Sequence, residues 1–361
     1  MDENNAVLVL QDGTVIWGVG FGAEGSAEGE VVFNTSMSGY QEALTDPSYK
    51  YQVLMMTYPL VGNYGVNDKD FESEGIQTEA FIIRELTRSP SHGKLRNTLD
   101  EFLKEYDIPG IQGIDTRFLT KKIRMHGVMN GILKYPCEEG EIEDLKGKAA
   151  GLRSISDLDL VGIVSAKKPK KYDACGKKTV VLVDCGVKQS IIRCLLDRQI
   201  NVVQVPAGTS AAGILDYEPD GILVSNGPGD PERADYVGDT VKKLISEGIP
   251  MFGICLGLQI MGLACGARTY KLKFGHRGSN HPVKDLETGR AHITSQNHGF
   301  AVDAESLPED IRVSHISLND GSVEGFIHKE LPIRAVQYHP EAHPGPWYNY
   351  YIFDEFMELM K

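Results

Sequence analysis

Beyond about residue 179 the chain alternates short apolar runs with amphipathic stretches. Residues 179–184 are mostly β-branched or apolar, the pattern of a strand covered on both faces. Residues 188–198 then place Ile191, Ile192, Leu195 and Leu196 at helical spacing. Further strands are predicted at 201–205, 221–225 and Met251–Ile254. Helices are predicted over 235–247 and from Leu256 to Ala264. Such alternation predicts an α/β fold, a mostly parallel sheet with helices on both faces. Residues 291–295, 312–316 and 322–327 read as antiparallel additions, Ile333–Val336 as an apolar segment, and 346–361 as an aromatic-rich terminal helix.

The first 165 or so residues have a different pattern. Residues 8–17 predict a hairpin turned at Asp12-Gly13. Strand-like runs follow at 30–34, 53–57 and 80–84, and helical patterns at 98–106 and 116–126. This mixed order predicts a separate, smaller α+β domain over 1–165. A linker is expected over 166–178 and the α/β domain over 179–361. Lys167, Lys168, Lys170 and Lys171 surround Pro169 in that linker and read as a solvated segment rather than a nucleic-acid contact. Gly20, Gly22 and Gly25 fit a dinucleotide-binding pattern, but the run leads into a strand at 29–33 instead of a helix, so that reading is rejected. Asn34-Thr35-Ser36 is a glycosylation sequon without secretory context.

A length of 361 residues suits two domains, and 41% hydrophobic with 24% charged residues suffices for two full cores. The net charge of −13 argues against a nucleic-acid binder. No run of eighteen apolar residues predicts a membrane span, and the acidic start Met1-Asp2-Glu3-Asn4-Asn5 is not a signal peptide. The six cysteines include no Cys-x-x-Cys pair, which fits reduced thiols in the cytoplasm. No metal site and no cofactor are expected in this chain.

Cys255 changes the picture. It lies between the predicted strand Met251–Ile254 and the predicted helix, flanked by Gly253 and Gly257. That is the spacing of a nucleophile elbow with sulfur in place of the serine oxygen. The tight turn exposes the nucleophile, and the N–H groups of the helix start favour thiolate over thiol. Downstream, an apolar segment delivers His339 at its end, with Glu341 two positions later. Nucleophile, imidazole and orienting carboxylate are the members of a catalytic triad. The loop 225–231 after a predicted strand holds Gly227, Gly229 and two prolines. It reads either as a plain turn or as one wall of a site, in which the N–H groups of Gly227 and Leu256 receive an oxyanion. The polar run 294–302 reads either as a solvated turn or as part of the same site.

These motifs resemble the class I, triad-type glutamine amidotransferases. The resemblance rests on Gly253-Ile254-Cys255-Leu256-Gly257-Leu258-Gln259 and on His339-Pro340-Glu341. It implies hydrolysis of the glutamine side-chain amide through a thioester, with ammonia passed to a second site. Leu258 departs from the histidine usual there; the position is beside the nucleophile, not in the triad, and bears on rate more than on reaction. The resemblance also implies that Gln259 faces the pocket and that Asn297, Gly299 and Phe300 hold the α-amino and α-carboxylate groups of L-glutamine. Residues 29–49, 57–63, 113–117 and 274–282 further resemble the small-subunit family of carbamoyl-phosphate synthases, and this likeness spans about residues 6–361. It implies that Ser48 also reaches the glutamine and that the first domain docks on a large subunit. That subunit would use ATP, its metal ions and bicarbonate to make carbamoyl phosphate for arginine and pyrimidine synthesis. This chain has no Gly-x-x-x-x-Gly-Lys-Ser/Thr loop of its own. The alternatives are another class I amidotransferase, against which the amino-terminal half argues, and a non-catalytic relative, against which the intact triad argues.

Overall fold

The structure, a computed structural model, describes residues 5–361. Residues 1–4, most of the acidic start read above as lacking a signal sequence, lie outside the described residues. The chain forms two compact units, one up to Asp157 and one from Leu158 to Lys361.

The first unit is built on a closed barrel of seven strands. Around the barrel they run Ala6–Leu10, Val15–Gly22, Pro109–Gln112, Ala80–Ile82, Gln52–Met56, Gly25–Asn34 and Met129–Tyr135. The hairpin expected at Asp12-Gly13 joins the first two, and Gly13 takes φ 83°. The glycine run 20–25 belongs to two of these strands, not to a phosphate loop. A Cβ on Gly20 would stand 2.0 Å from the Tyr135 ring, so glycine there makes room for an aromatic side chain. Helices Leu99–Glu105 and Thr116–His126 start on side-chain caps from Thr98 and Asp115. Phe102, Leu103, Leu44 and Phe81 meet in one apolar core of this unit.

The second unit is a ten-stranded sheet in the order Lys170–Tyr172, Ile200–Pro206, Lys178–Asp184, Gly221–Val224, Met251–Ile254, Ile333–Val336, Val323–His328, Ile311–Ser317, Thr269–Asp285, Ala291–Val302. The strands from Ile200–Pro206 to Ile333–Val336 are parallel to one another. The remaining pairs are antiparallel. The parallel sheet expected from the sequence is thus the inner block, and the whole sheet is mixed. Strand alternation divides its side chains between two cores. Val181, Val183, Ile222 and Val224 pack with Val237, Val241 and Leu244 of helix Asp235–Ile245. Val180, Leu182, Leu223 and Phe252 pack instead with Ile191 and Leu195 of helix Gln189–Leu196 and with Phe353 and Phe356 of helix Tyr351–Leu359.

Two expectations differ from the structure. Within the segment read as a linker, Lys170–Tyr172 is an edge strand paired with Ile200–Pro206. The Tyr172 hydroxyl donates to Gln204 Oε1 at 2.9 Å, while its two lysines face solvent. Charged residues on an exposed edge are a common device against further strand pairing. The run 294–302 is not a turn but the continuation of strand Ala291–Val302, buried at Thr294, Ser295, Gln296 and Asn297. Among the described residues no helix is long and apolar enough to cross a membrane.

Candidate active site

Three neighbouring parallel strands end at one place. Gly221–Val224 leads into the Ser225 loop, Met251–Ile254 into Cys255, and Ile333–Val336 into the His339 segment. Carboxyl ends of parallel strands are where sites gather in such sheets. Residues far apart in sequence therefore converge without any long loop.

Cys255 is held at φ 56° and ψ −105°, an unusual backbone for a side chain with a Cβ. Its N–H bonds to Val336 O at 2.8 Å, which ties the elbow to the neighbouring strand. Helix Leu256–Ala264 starts immediately after it. A Cβ on Gly257 would come within 2.1 Å of Val224 O, so the helix can approach the strand this closely only with glycine there. Leu258 is fully buried in the apolar cluster with Ile260 and Met261. Cys255 Sγ lies 3.6 Å from Asn297 O and the residue is 1% exposed.

His339 N–H bonds to Ser295 O at 2.9 Å, so the histidine is anchored to the strand that also carries Asn297. Its Nδ1–H donates to Glu341 Oε1 at 2.6 Å. That bond leaves Nε2 as the nitrogen for chemistry. Nε2 makes no hydrogen bond of ordinary geometry, although the Cys255 thiol is close enough to help hold the ring's proton. Such looseness before substrate binds is normal for catalytic pairs. Burial pushes the His339 imidazole down; the Glu341 charge, the bond to Glu341 and the nearby Cys255 sulfur outweigh it and raise the group to about 10. Burial likewise pushes Glu341 up, but the charges of Lys188 and His339 bring it down to about 2.

Lys188 was not singled out from sequence. Its Nζ stands 3.0 Å from Glu341 Oε1 and donates to Ala342 O at 2.7 Å and His343 O at 3.0 Å. The residue is 3% exposed, and Glu341 is wholly buried. Its position, just past the predicted strand 179–184 and so at a strand's carboxyl end, was the signal available. A charged line thus runs from Lys188 through Glu341 to His339, beside Cys255.

The other residues expected at the site fall as follows. In the loop after Ser225, Gly227 packs so tightly that a Cβ would be 2.0 Å from Cys185 O and 2.9 Å from the Leu256 side chain. The backbone of Gly227 and the start of the Cys255 helix are thereby neighbours. Ser225 Oγ accepts from Cys185 N–H at 3.0 Å and Asn226 Oδ1 accepts from Lys188 N–H at 3.1 Å, which fixes the loop. Gly229 has φ 86°, the left-handed region. Gln259 Nε2 donates to Phe300 O at 2.8 Å and Gln337 Oε1 at 3.1 Å, so it braces the strand bearing Asn297, Gly299 and Phe300. Ser48 belongs to the first unit, in the short turn Pro47–Tyr49, where its N–H bonds to Asp46.

Comparison with known proteins agrees in both halves. Residues 8–133 match the family described as the carbamoyl-phosphate synthase small chain, CPSase domain, and residues 181–359 match glutamine amidotransferase class-I. The chain is 53% identical over 358 residues to the carbamoyl phosphate synthase small chain of Archaeoglobus fulgidus, covering 99% of each. It is 55% identical over 357 residues to that of Methanocaldococcus jannaschii, covering 98% of each. Among solved structures it is similar to a putative GMP synthase protein from Thermoplasma acidophilum, with 26% identity and a TM-score of 0.45 over 51% of this chain and 94% of the other.

Proposed function

The chain belongs to the family of carbamoyl phosphate synthase small chains, and on that premise we propose that Cys255, His339 and Glu341 are its glutaminase triad. The chain is the glutamine-hydrolysing subunit of a carbamoyl phosphate synthase and works with a large subunit. The observation that carries the triad is the charged line Lys188–Glu341–His339 ending beside the buried thiol of Cys255.

In the proposed reaction the Cys255 thiolate attacks the side-chain amide carbon of L-glutamine. The carbonyl oxygen becomes an oxyanion and receives the N–H groups of Gly227 and Leu256. His339 gives its Nε2 proton to the departing nitrogen, ammonia leaves and a glutamyl thioester remains. Neutral His339 then takes a proton from water, the resulting hydroxide attacks the thioester, and glutamate is released as Cys255 regains its starting form. Glu341 keeps the imidazole oriented and Lys188 holds Glu341. Asn297, Gly299 and Phe300 hold the amino acid end of the substrate, with Gln259 bracing their strand, Gly229 shaping the facing loop, and Ser48 contributing from the first unit. ATP and its metal ions belong to the large subunit, for which the first unit is the docking domain. The ammonia enters carbamoyl phosphate for arginine and pyrimidine synthesis in the cytoplasm, a setting that suits six free cysteines.

The test is Cys255→Ser in the assembled complex. Glutamine-dependent synthesis should be lost while synthesis from added ammonia survives. Substantial glutamine hydrolysis by the pure variant would remove Cys255 from its role.

A further inference from the structure

Behind the strand that carries Asn297 and Phe300 lies a second cluster of buried side chains. His276 on Thr269–Asp285, His298 on Ala291–Val302 and Glu324 on Val323–His328 are all buried. His276 and His298 are directly paired across their two strands. Nothing in their sequence spacing suggests a common site; strand pairing alone assembles it.

The hydrogen bonds around the cluster fix which atoms face its centre. His276 Nε2 bonds to Asp320 Oδ2 at 2.9 Å, and His298 Nδ1 bonds to Phe300 O at 2.8 Å. Both partners are acceptors, so each ring spends its N–H outward. In the neutral ring the other nitrogen then carries a lone pair. These nitrogens, His276 Nδ1 and His298 Nε2, point to the same oxygen, Glu324 Oε1, at 3.5 and 3.9 Å. None of the three atoms makes a hydrogen bond of ordinary geometry. The other carboxylate oxygen of Glu324 is occupied, accepting from Gln296 Nε2 at 2.8 Å.

Three electron-pair donors thus converge within 4.8 Å of one another in a buried place. Buried donors facing one another are costly unless something positive lies between them. A histidine whose far nitrogen is held by a carboxylate or a backbone carbonyl is the usual support of a metal ligand. Two imidazoles and one carboxylate suit a zinc-class ion, whose tetrahedral ligand atoms stand about 3.4 Å apart. The present spacings of up to 4.8 Å are wider than that, and binding an ion requires the side chains to close on it.

We propose that His276, His298 and Glu324 bind a divalent transition-metal ion of the zinc class, with water as a fourth ligand. The ion is structural. It joins three strands of the sheet directly behind Asn297, Gly299 and Phe300, and so stiffens the strand bearing them. It takes no part in the chemistry at Cys255, and the inference stands whether or not the triad assignment does.

The test uses the full chain with Cys255→Ser, so that the thiol beside His339 cannot hold metal. Protein stripped with a chelator is titrated with zinc chloride, and metal content and melting temperature are read. About one zinc per chain is expected after dialysis, together with a raised melting temperature. Glu324→Gln and His276→Gln should each lose both effects, and Asp320→Asn, which keeps all three ligands, should weaken binding by about 10–100-fold. If a ligand variant fails to fold, cobalt added to the parent protein decides alone, because a tetrahedral nitrogen–oxygen site gives strong visible absorption. The proposal is overturned by no stoichiometric uptake, by uptake equal in parent and ligand variants, or by no visible cobalt spectrum. The cluster is then held by a proton on His276 shared with Asp320 and Glu324.

Discussion

At the scale of single residues the triad divides into groups that react and groups that hold. In the proposed reaction His339 moves protons in both halves, whereas Glu341 only orients it. His339→Asn is therefore expected to cut glutamine hydrolysis by about 10²–10⁴-fold, and Glu341→Gln by less. Steady-state kinetics of the two variants checks this, and the reverse order would exchange the roles. Lys188→Met removes the ammonium from a wholly buried carboxylate. Breaking such a pair by deleting one partner costs about 3–5 kcal/mol, a loss visible in urea unfolding. The same groups set a pH window. The fold raises His339 to about 10 from 6.5, so its share of the stability is full below about pH 6.5 and is lost as pH rises through about 10. Glu341 is lowered to about 2 from 4.5, so its share is full above about pH 4.5 and is lost as pH falls through about 2. The melting-temperature advantage of the unaltered chain over Glu341→Gln should be widest between about pH 4.5 and 6.5 and should narrow toward pH 10. A difference that stays flat from about pH 6.5 to about pH 10 would contradict the pairing.

At the scale of elements the site depends on how closely the Cys255 helix meets its strand. Gly257→Ala puts a methyl group against Val224 O, a backbone atom that cannot turn aside. The variant should lose glutamine hydrolysis and melt at a lower temperature; normal activity would mean the elbow has slack. Local patterns made this part of the molecule legible. The helix expected over 235–247 is Asp235–Ile245, and the hairpin at Asp12-Gly13 is present, because each is set by neighbours in sequence. Closure of the barrel was not legible. It needs Ala6–Leu10 to pair with Met129–Tyr135, and a single strand pattern does not name its partner. Residues 294–302 were open to a turn reading for a related reason. Their polar side chains mimic a loop, yet they are buried in a strand where the site needs polar groups. Lys188 escaped for want of any local sign that its charge is paired with Glu341, 153 positions away (341 − 188).

At the scale of the whole molecule the chain supplies ammonia to a reaction completed elsewhere. A glutaminase that ran without its partner would waste substrate, so hydrolysis by the chain should rise when the large subunit is added. Ser48→Ala should leave binding of the large subunit unchanged and raise the KM for glutamine; an unchanged KM removes Ser48 from the site. All of this presupposes a covalent intermediate on one sulfur. The complex is quenched in acid during turnover of glutamine, digested, and its peptides are weighed by mass spectrometry. A glutamyl group on the peptide containing Cys255, absent from controls without glutamine, is the expected result. Rapid hydrolysis with that peptide unmodified, or a glutamyl group on another cysteine, would contradict the account.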